Sequence, residues 1–457
     1  MRRLRPKAAS SALILALPLF LSSPARSAQV AGHAAPTQVV IYNSDLALVR
    51  ESLLLKLAKG TNDLTLDGIP RRIDSTSVHL QGADFRVARQ SFRYDLWNAD
   101  RVFHRFLGDS IAYRYMGKAY RGRLAGIDGD DIFIERRDSV GVLTMLKRSQ
   151  ISELEFPSKL ALATRPSLTW TLESGKGGDK TPAALSYLTS GIQWTAEYAA
   201  ELDKSETGVT LSGWATIVNR SGSSYEAALV SLVAGDVHRS GETPDRGPAL
   251  ESAEASPAGP SPVDLFAYHL YSVDGAVDLR YLETIQAPLF APTRVAARRV
   301  YVYDGARDGS KVRVKVELGN DKEQGLGIPL PAGRVRVFAP GPSGTPLLVG
   351  EDAIGHTPAG EKIKILSGTA FDLVGERTRV AHTRVSRNVT EDQYRVAIRN
   401  RGVKPTTVTV VETLYGNWEI AAKSAEYRKK DAETVEFDVA VPAGRESVLT
   451  YTVRFTY

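Results

Sequence analysis

The chain has 457 residues, 43% of them hydrophobic, with 58 Lys and Arg against 52 Asp and Glu and no cysteine. That length exceeds what one hydrophobic core organises and points to two to four compact units. The lack of cysteine excludes disulfides, thiolate nucleophiles, thiolate metal sites and a lipid-modified N-terminal cysteine.

Five of the basic residues, Arg2, Arg3, Arg5, Lys7 and Arg26, fall in residues 1–28, which hold no acid; without them 53 basic residues face 52 acidic ones. A remainder so close to neutral gives no electrostatic reason to expect nucleic acid or an anionic membrane as partner. The basic start, the apolar run Ala12–Leu21 and the small residues around Ser23–Ala28 form the pattern of a secretory signal peptide. The run is about ten residues, too short to cross a bilayer core of ~30 Å. Residues 1–28 are therefore expected to be a leader, cleaved after Ser27 or Ala28. The protein is expected to be exported, periplasmic or secreted, in a bacterium, without stable membrane insertion.

From 37 to 97 short runs such as Val39–Ser44, Leu46–Val49, Asn62–Pro70 and Ser77–Gln81 alternate apolar with polar residues and close on Gly, Asn, Asp or Pro. This segment reads as a small β-unit. Between 98 and 157 five shorter runs follow: Ile111–Tyr115, Tyr120–Leu124, Ile132–Glu135, Val142–Leu146 and Ile151–Phe156. The tight turn Asp128–Asp131 separates the second from the third, and the spacing suits a small, strongly bent barrel of SH3 or Sm-like type, against the plainer reading of extra hairpins of a neighbouring sheet. Some such barrels bind RNA, but residues 98–156 carry ten basic and nine acidic residues, which disfavours that partner.

Beyond 165 the chain is strand after strand. Gly213–Gly222 followed by Leu229–Asp236, and Tyr394–Gly402 followed by Val408–Leu414, share one design: a β-rich run, an Asn-Arg turn closed by Gly, and a second β-rich run. Local reading predicts a hairpin, used twice. The stretch 239–262 has five prolines and Leu250 as its one large apolar residue, so it is expected to be a disordered insertion within one module. Further on, Val312, Val314, Val316 and Leu318 alternate with Arg313, Lys315 and Glu317. No segment after the leader sustains a 3.6-residue period. The fold class is all-β, a multi-module β-sandwich architecture with a small SH3-like barrel.

The ordered set Tyr187, Gly191–Trp194, Tyr198, Asn219–Gly222, Tyr268–Tyr271, Gly327–Gly333, Tyr394, Arg399, Asn400 and Trp418 carries a resemblance. Over about residues 165–457 the chain resembles the bacterial domain of unknown function 4139, which also forms the C-terminal half of mucoidy-inhibitor-like proteins. The resemblance implies an exported bacterial protein with a β-rich body and supplies no reaction. This chain lacks the heptad-rich helical middle of the mucoidy-inhibitor-like members and has the 98–156 β-segment in its place.

The seven histidines, His33, His79, His104, His238, His269, His356 and His382, scatter along the chain, and none belongs to a His-Glu-x-x-His motif. His269, with Asp264 and Asp278 nearby in sequence, has the setting of a general base, against the plainer reading of a hydrogen-bonded strand residue. The run Ser174–Thr181 lacks phosphate-loop spacing and reads as a turn. Asp128–Asp131 lacks the oxygens of a calcium loop and reads as a hairpin turn. Trp170, Trp194, Tyr198, Trp214, Tyr268, Tyr271 and Trp418 form either a sugar-stacking platform or, more in keeping with a sandwich, its core. No catalytic, cofactor or metal residue is assigned. The leading function is a non-catalytic envelope protein that binds a protein partner or assembles. A carbohydrate or cell-wall binding module is the alternative, and an unrecognised hydrolase the second alternative.

Overall fold

The computed structural model describes residues 25–93, 99–139, 141–157, 166–235, 263–265 and 268–457. The 239–262 insertion, His238 and all but the last residues of the leader lie outside the described residues. The protein is all-β, and its helical content among them is one seven-residue α-helix, Ala99–Arg105, and two 3-10 turns. The α-helix was not expected, because two turns are too short to display a helical period.

The chain divides into two compact units that interleave in sequence. The first takes in the described residues of Met1–Ala35, Glu51–Arg71 and His79–Leu185; the second takes in Pro36–Arg50, Arg72–Val78 and Ser186–Tyr457. Segment 37–97 is thus shared between the two. Its strands find partners far along the chain, which short-range alternation does not encode.

In the first unit the Ser167–Ser174 strand lies between Gly60–Asp67 and Phe85–Arg93, antiparallel to both. Trp170, fully buried on that strand, donates its indole N–H to Gln90 Oε1 at 2.7 Å. The start of the Arg26–Tyr42 strand pairs in parallel with Gly60–Asp67, Arg26 to Ala28 opposite Asn62 to Leu64. The expected cleavage junctions fall inside this paired stretch.

The same unit contains the barrel. Strands Ser110–Tyr115, Lys118–Asp128, Asp131–Arg136, Leu143–Lys147 and Ile151–Glu155 form one sheet in which the fifth pairs with the first, in spatial order 5-1-2-3-4. Its core is Phe103, Phe106, Ile111, Tyr113, Leu124, Ile132, Ile134 and Leu146. Phe103 and Phe106 of the helical segment pack on Phe156. Asp128 and Asp131 pair directly as a hairpin turn, with Gly129 at φ +57°.

The second unit is built of packed sheets. Strand Ile192–Leu202 pairs with Gly208–Asn219 and Gly333–Pro340, while Tyr225–Ala234 pairs with Tyr268–Leu279 and with Gln38–Tyr42. Trp194 joins these two sheets through its indole N–H, 3.1 Å from Val233 O, and its ring lies 6.2 Å from that of Tyr271. A second core gathers Tyr303, Val396, Val408, Val410, Phe437, Tyr451 and Val453.

The predicted repeated hairpin is not a hairpin. Gly208–Asn219 pairs with strands on either side but not with Tyr225–Ala234, and Val389–Asn400 does not pair with Thr406–Thr413. At Asn219 the chain leaves one sheet and enters another, whereas at Asn400 it passes to a non-neighbouring strand of the same hydrogen-bonded sheet. Asn219 is buried and donates its side-chain amide to Ser223 O and Leu279 O, both at 2.9 Å; Asn400 does the same to Lys404 O and Val441 O. A third buried corner, Asn320, reaches Ile328 O and Pro358 O. Each backbone N–H also reaches a carbonyl three or four residues past the distant acceptor, at Glu283, Arg445 and Glu361 respectively. Asn is suited to this role because one short side chain offers two donors and an acceptor.

Candidate functional site

The aromatic residues singled out in the sequence mostly enter the cores. Trp170, Trp194, Tyr198 and Tyr271 are buried, Tyr268 and Trp418 are half-buried, and Trp214 alone among them is exposed. Tyr198 gives its hydroxyl to Pro331 O at 2.8 Å, and burial pushes that hydroxyl well above its ordinary range. Trp418 sits under Lys429 and donates to Ala432 O. His269 stands opposite Asp264 in register. Asp278, nine residues further along the same strand and so roughly 30 Å away, is occupied by Ala227 N and Arg280. Within the run Ser174–Thr181 the residues between the Ser167–Ser174 and Gly178–Thr189 strands form a turn closed by Gly177 N on Ser174 Oγ. Among the described residues no group of three or more His, Asp or Glu is placed to hold a metal ion.

The structure instead pairs His382 with Asp392, which the sequence separated by a turn and did not single out. The strands Lys362–Ser386 and Val389–Asn400 set the two directly opposite, His382 Nδ1 lying 2.5 Å from Asp392 Oδ1. Arg379 at 3.5 Å and the Tyr394 hydroxyl at 3.4 Å approach the other carboxylate oxygen. Asp392 is buried and His382 is 54% exposed. A carboxylate on Nδ1 orients an imidazole as in a base–orienter pair, yet among the described residues no hydroxyl bonds its Nε2. The arrangement serves as a cross-strand clamp.

Beneath it lies a buried ion pair. Arg377 contacts both oxygens of Glu412 through Nε at 3.0 Å and stacks over Tyr394 at 3.9 Å. Burial pushes the Glu412 carboxyl up, only partly offset by Arg377, and burial beside Glu412 also pushes up the Tyr451 hydroxyl. Tyr394, Tyr451 and Phe437 stack in sequence, with centroids 5.3 Å apart at each step. The network reads as structural, since its charges are spent on each other.

In the first unit the barrel carries an open cavity of about 610 Å³ lined by Ser110, Arg123, Arg136, Arg137, Gly141 and Leu143, among others. Arg123 is bidentate on Glu135 at 3.0 and 2.8 Å. Arg136 is bound to Asp138 and rests on the Tyr120 ring; its hydrogen bond holds the Asp138 carboxyl below the usual range. Nothing in the sequence singled out this cavity, because its lining comes from separate segments, 108–110, 122–123, 135–137 and 141–143.

The second unit exposes apolar side chains in a different place. Phe371 is 98% exposed and Val403 91%, and Leu347, Leu348 and Val349 are exposed in succession. Phe371 projects at a bulge, where the pairing steps from Arg313 opposite Thr369 to Lys311 opposite Val374. Asp372 O accepts Arg401 N at 2.8 Å, bringing the turn before Val403 beside it. Gly350 passes over Ser367, so close that a Cβ would meet Ser367 Cα at 2.3 Å.

Fold and site together define an all-β protein of packed sheets and one small barrel, with its buried charges paired and several apolar side chains outside. Residues 183–457 match the domain of unknown function DUF4139, and the chain belongs to that family. The match begins inside the Gly178–Thr189 strand, later than the expected 165. No curated protein is significantly similar to the chain.

Proposed function

We propose that the protein is exported to the bacterial envelope and acts there by binding a protein partner or by assembly, without chemistry of its own. The observation that carries this reading is the exposed apolar group on the second unit, Phe371, Val403 and Leu347 to Val349. Exposed apolar side chains gathered near one another mark interaction surfaces, because water contact costs roughly 25 cal/mol per Å² that a partner would remove. Export is supported by the leader pattern of residues 1–28. A glycan reading has less support, since Trp170 and Trp194 are in cores and Trp418 is covered by Lys429.

Site-specific photocrosslinking in the exporting host tests the reading. A photoreactive residue at Phe371 or Leu348 is expected to give one discrete product, and one at exposed Lys430 none. Phe371→Glu is expected to abolish the product formed through Leu348 while leaving the thermal midpoint unchanged, because a fully exposed side chain contributes little to stability. Products at Lys430 equal to those at Phe371, or none at any site, would overturn the proposal.

A further inference from the structure

At the barrel cavity one lining guanidinium, Arg137, and a second beside it, Arg121, have no side-chain partner among the described residues. Arg137 lines it, is exposed, and makes no side-chain hydrogen bond or ion pair among the described residues. Its backbone N–H bonds Arg121 O at 3.2 Å, which continues the ladder beyond Gly122 opposite Arg136 and sets Arg121 beside it. Arg121 does not line the cavity but is likewise exposed and, among the described residues, without a side-chain partner. Strand alternation places Arg121 and Arg123 on one face, with Glu135 opposite Arg123 and Arg137 opposite Arg121.

These pairs differ in kind. Arg123 is neutralised by Glu135 and fixed by it, whereas Arg121 and Arg137 are neighbouring like charges, a cross-strand arrangement that is destabilising when left bare. An oxyanion between them would turn repulsion into two charge-assisted forks. The cavity wall is apolar on one side: Leu143 lines it at 56% exposure, and Met145, two residues along on the same face, is 60% exposed. A site with cations at one end and bare apolar side chains at the other fits a ligand that is itself divided in this way.

We infer that the barrel cavity binds an amphiphile with a carboxylate or phosphate head and an alkyl or acyl body, its head on Arg137 and Arg121 and its body along Leu143 and Met145. The site is independent of the apolar group on the second unit, and either can fail without the other. A volume of about 610 Å³ lies within the range of small-ligand pockets.

Calorimetric titration of the full chain tests this with three probes: inorganic phosphate, dodecyl phosphate below its micellar concentration, and phosphatidylglycerol vesicles. Dodecyl phosphate is expected to bind at one site, at least tenfold more tightly than inorganic phosphate. Arg137→Gln is expected to weaken both by about tenfold, and Leu143→Ser to weaken dodecyl phosphate alone, with the far-ultraviolet spectrum and thermal midpoint of each variant confirming its fold. Equal affinity for the two soluble probes, or affinity unchanged by Arg137→Gln, would overturn the proposal. Vesicle binding without binding of the monomer would overturn it also, and would mark a membrane-facing surface instead of a cavity.

Discussion

Asn400 makes hydrogen bonds in three directions: its amide donates to Lys404 O and Val441 O, its side-chain oxygen accepts Gly402 N at 2.9 Å, and its backbone N–H reaches Arg445 O. Truncating it leaves buried carbonyls unmet, at about 1–3 kcal/mol for each such group. Asn400→Ala is expected to cost about 2–4 kcal/mol on that basis, read as a lower urea midpoint with the slope unchanged. Asn400→Asp is expected to cost more, because a carboxylate would face two carbonyl oxygens it cannot donate to. An Asp variant as stable as the parent would show that the corner is held by its backbone bonds alone. Equivalent losses are expected at Asn219 and Asn320, whose side-chain amides likewise donate to two carbonyls at other corners of the chain.

Strands were legible because alternation is a one-dimensional signal. The five expected barrel strands coincide with the observed ones to within a few residues, and the Lys311–Gly319 strand buries Val312, Val316 and Leu318 as its pattern implies. Partnership was not legible. A run, an Asn-Arg turn and a second run look alike whether the second strand folds back on the first or crosses to another sheet, and the Asn219 amide bond to Leu279, sixty residues away, decides it. For the same reason the His382–Asp392 pair is not legible in the sequence, since register across a turn makes it. Among the hairpins that do fold back on themselves is the one joining Ile192–Leu202 to Gly208–Asn219, whose turn holds a carboxylate, Asp203, in several hydrogen bonds. Asp203 accepts Ser205 Oγ at 2.8 Å, Arg294 Nη2 at 2.6 Å and Thr207 N at 3.0 Å. Those bonds, Ser205 foremost, lower its pKa to about 2. A depressed carboxyl pKa gives stability that is present above the unfolded value near 3.8 and is lost as pH falls through about 2. Comparing urea midpoints at pH 5 and pH 2.5, Asp203→Asn is expected to lose less on acidification than the parent. Identical acid losses would remove Asp203 from the account.

At the scale of the whole molecule, the second unit is closed by strands from opposite sides of residues 236–262. Gly208–Asn219 pairs with Thr284–Tyr303, Tyr225–Ala234 with Tyr268–Leu279, and Ile192–Leu202 with Gly333–Pro340. A protease site engineered between 240 and 260 would therefore cut one folded body into two chains. Cutting turns an intramolecular association, with an effective concentration on the order of millimolar, into a bimolecular one. To stay together at micromolar protein the fragments need an association free energy of about −8 kcal/mol. The ladders bury Trp194, Tyr198, Val209, Leu211 and Ile217 on one side of the cut and Leu279, Val295, Val335 and Val337 on the other. At roughly 1.5–3 kcal/mol for each fully buried large side chain, their burial exceeds that requirement even after association costs of about 4–15 kcal/mol are charged at the lower end of the range. The cleaved protein is expected to elute from a sizing column at the position of the intact chain and to separate only in urea. Separation under native conditions would mean that strands on each side of the cut form complete cores of their own, and that residues 236–262 join two bodies.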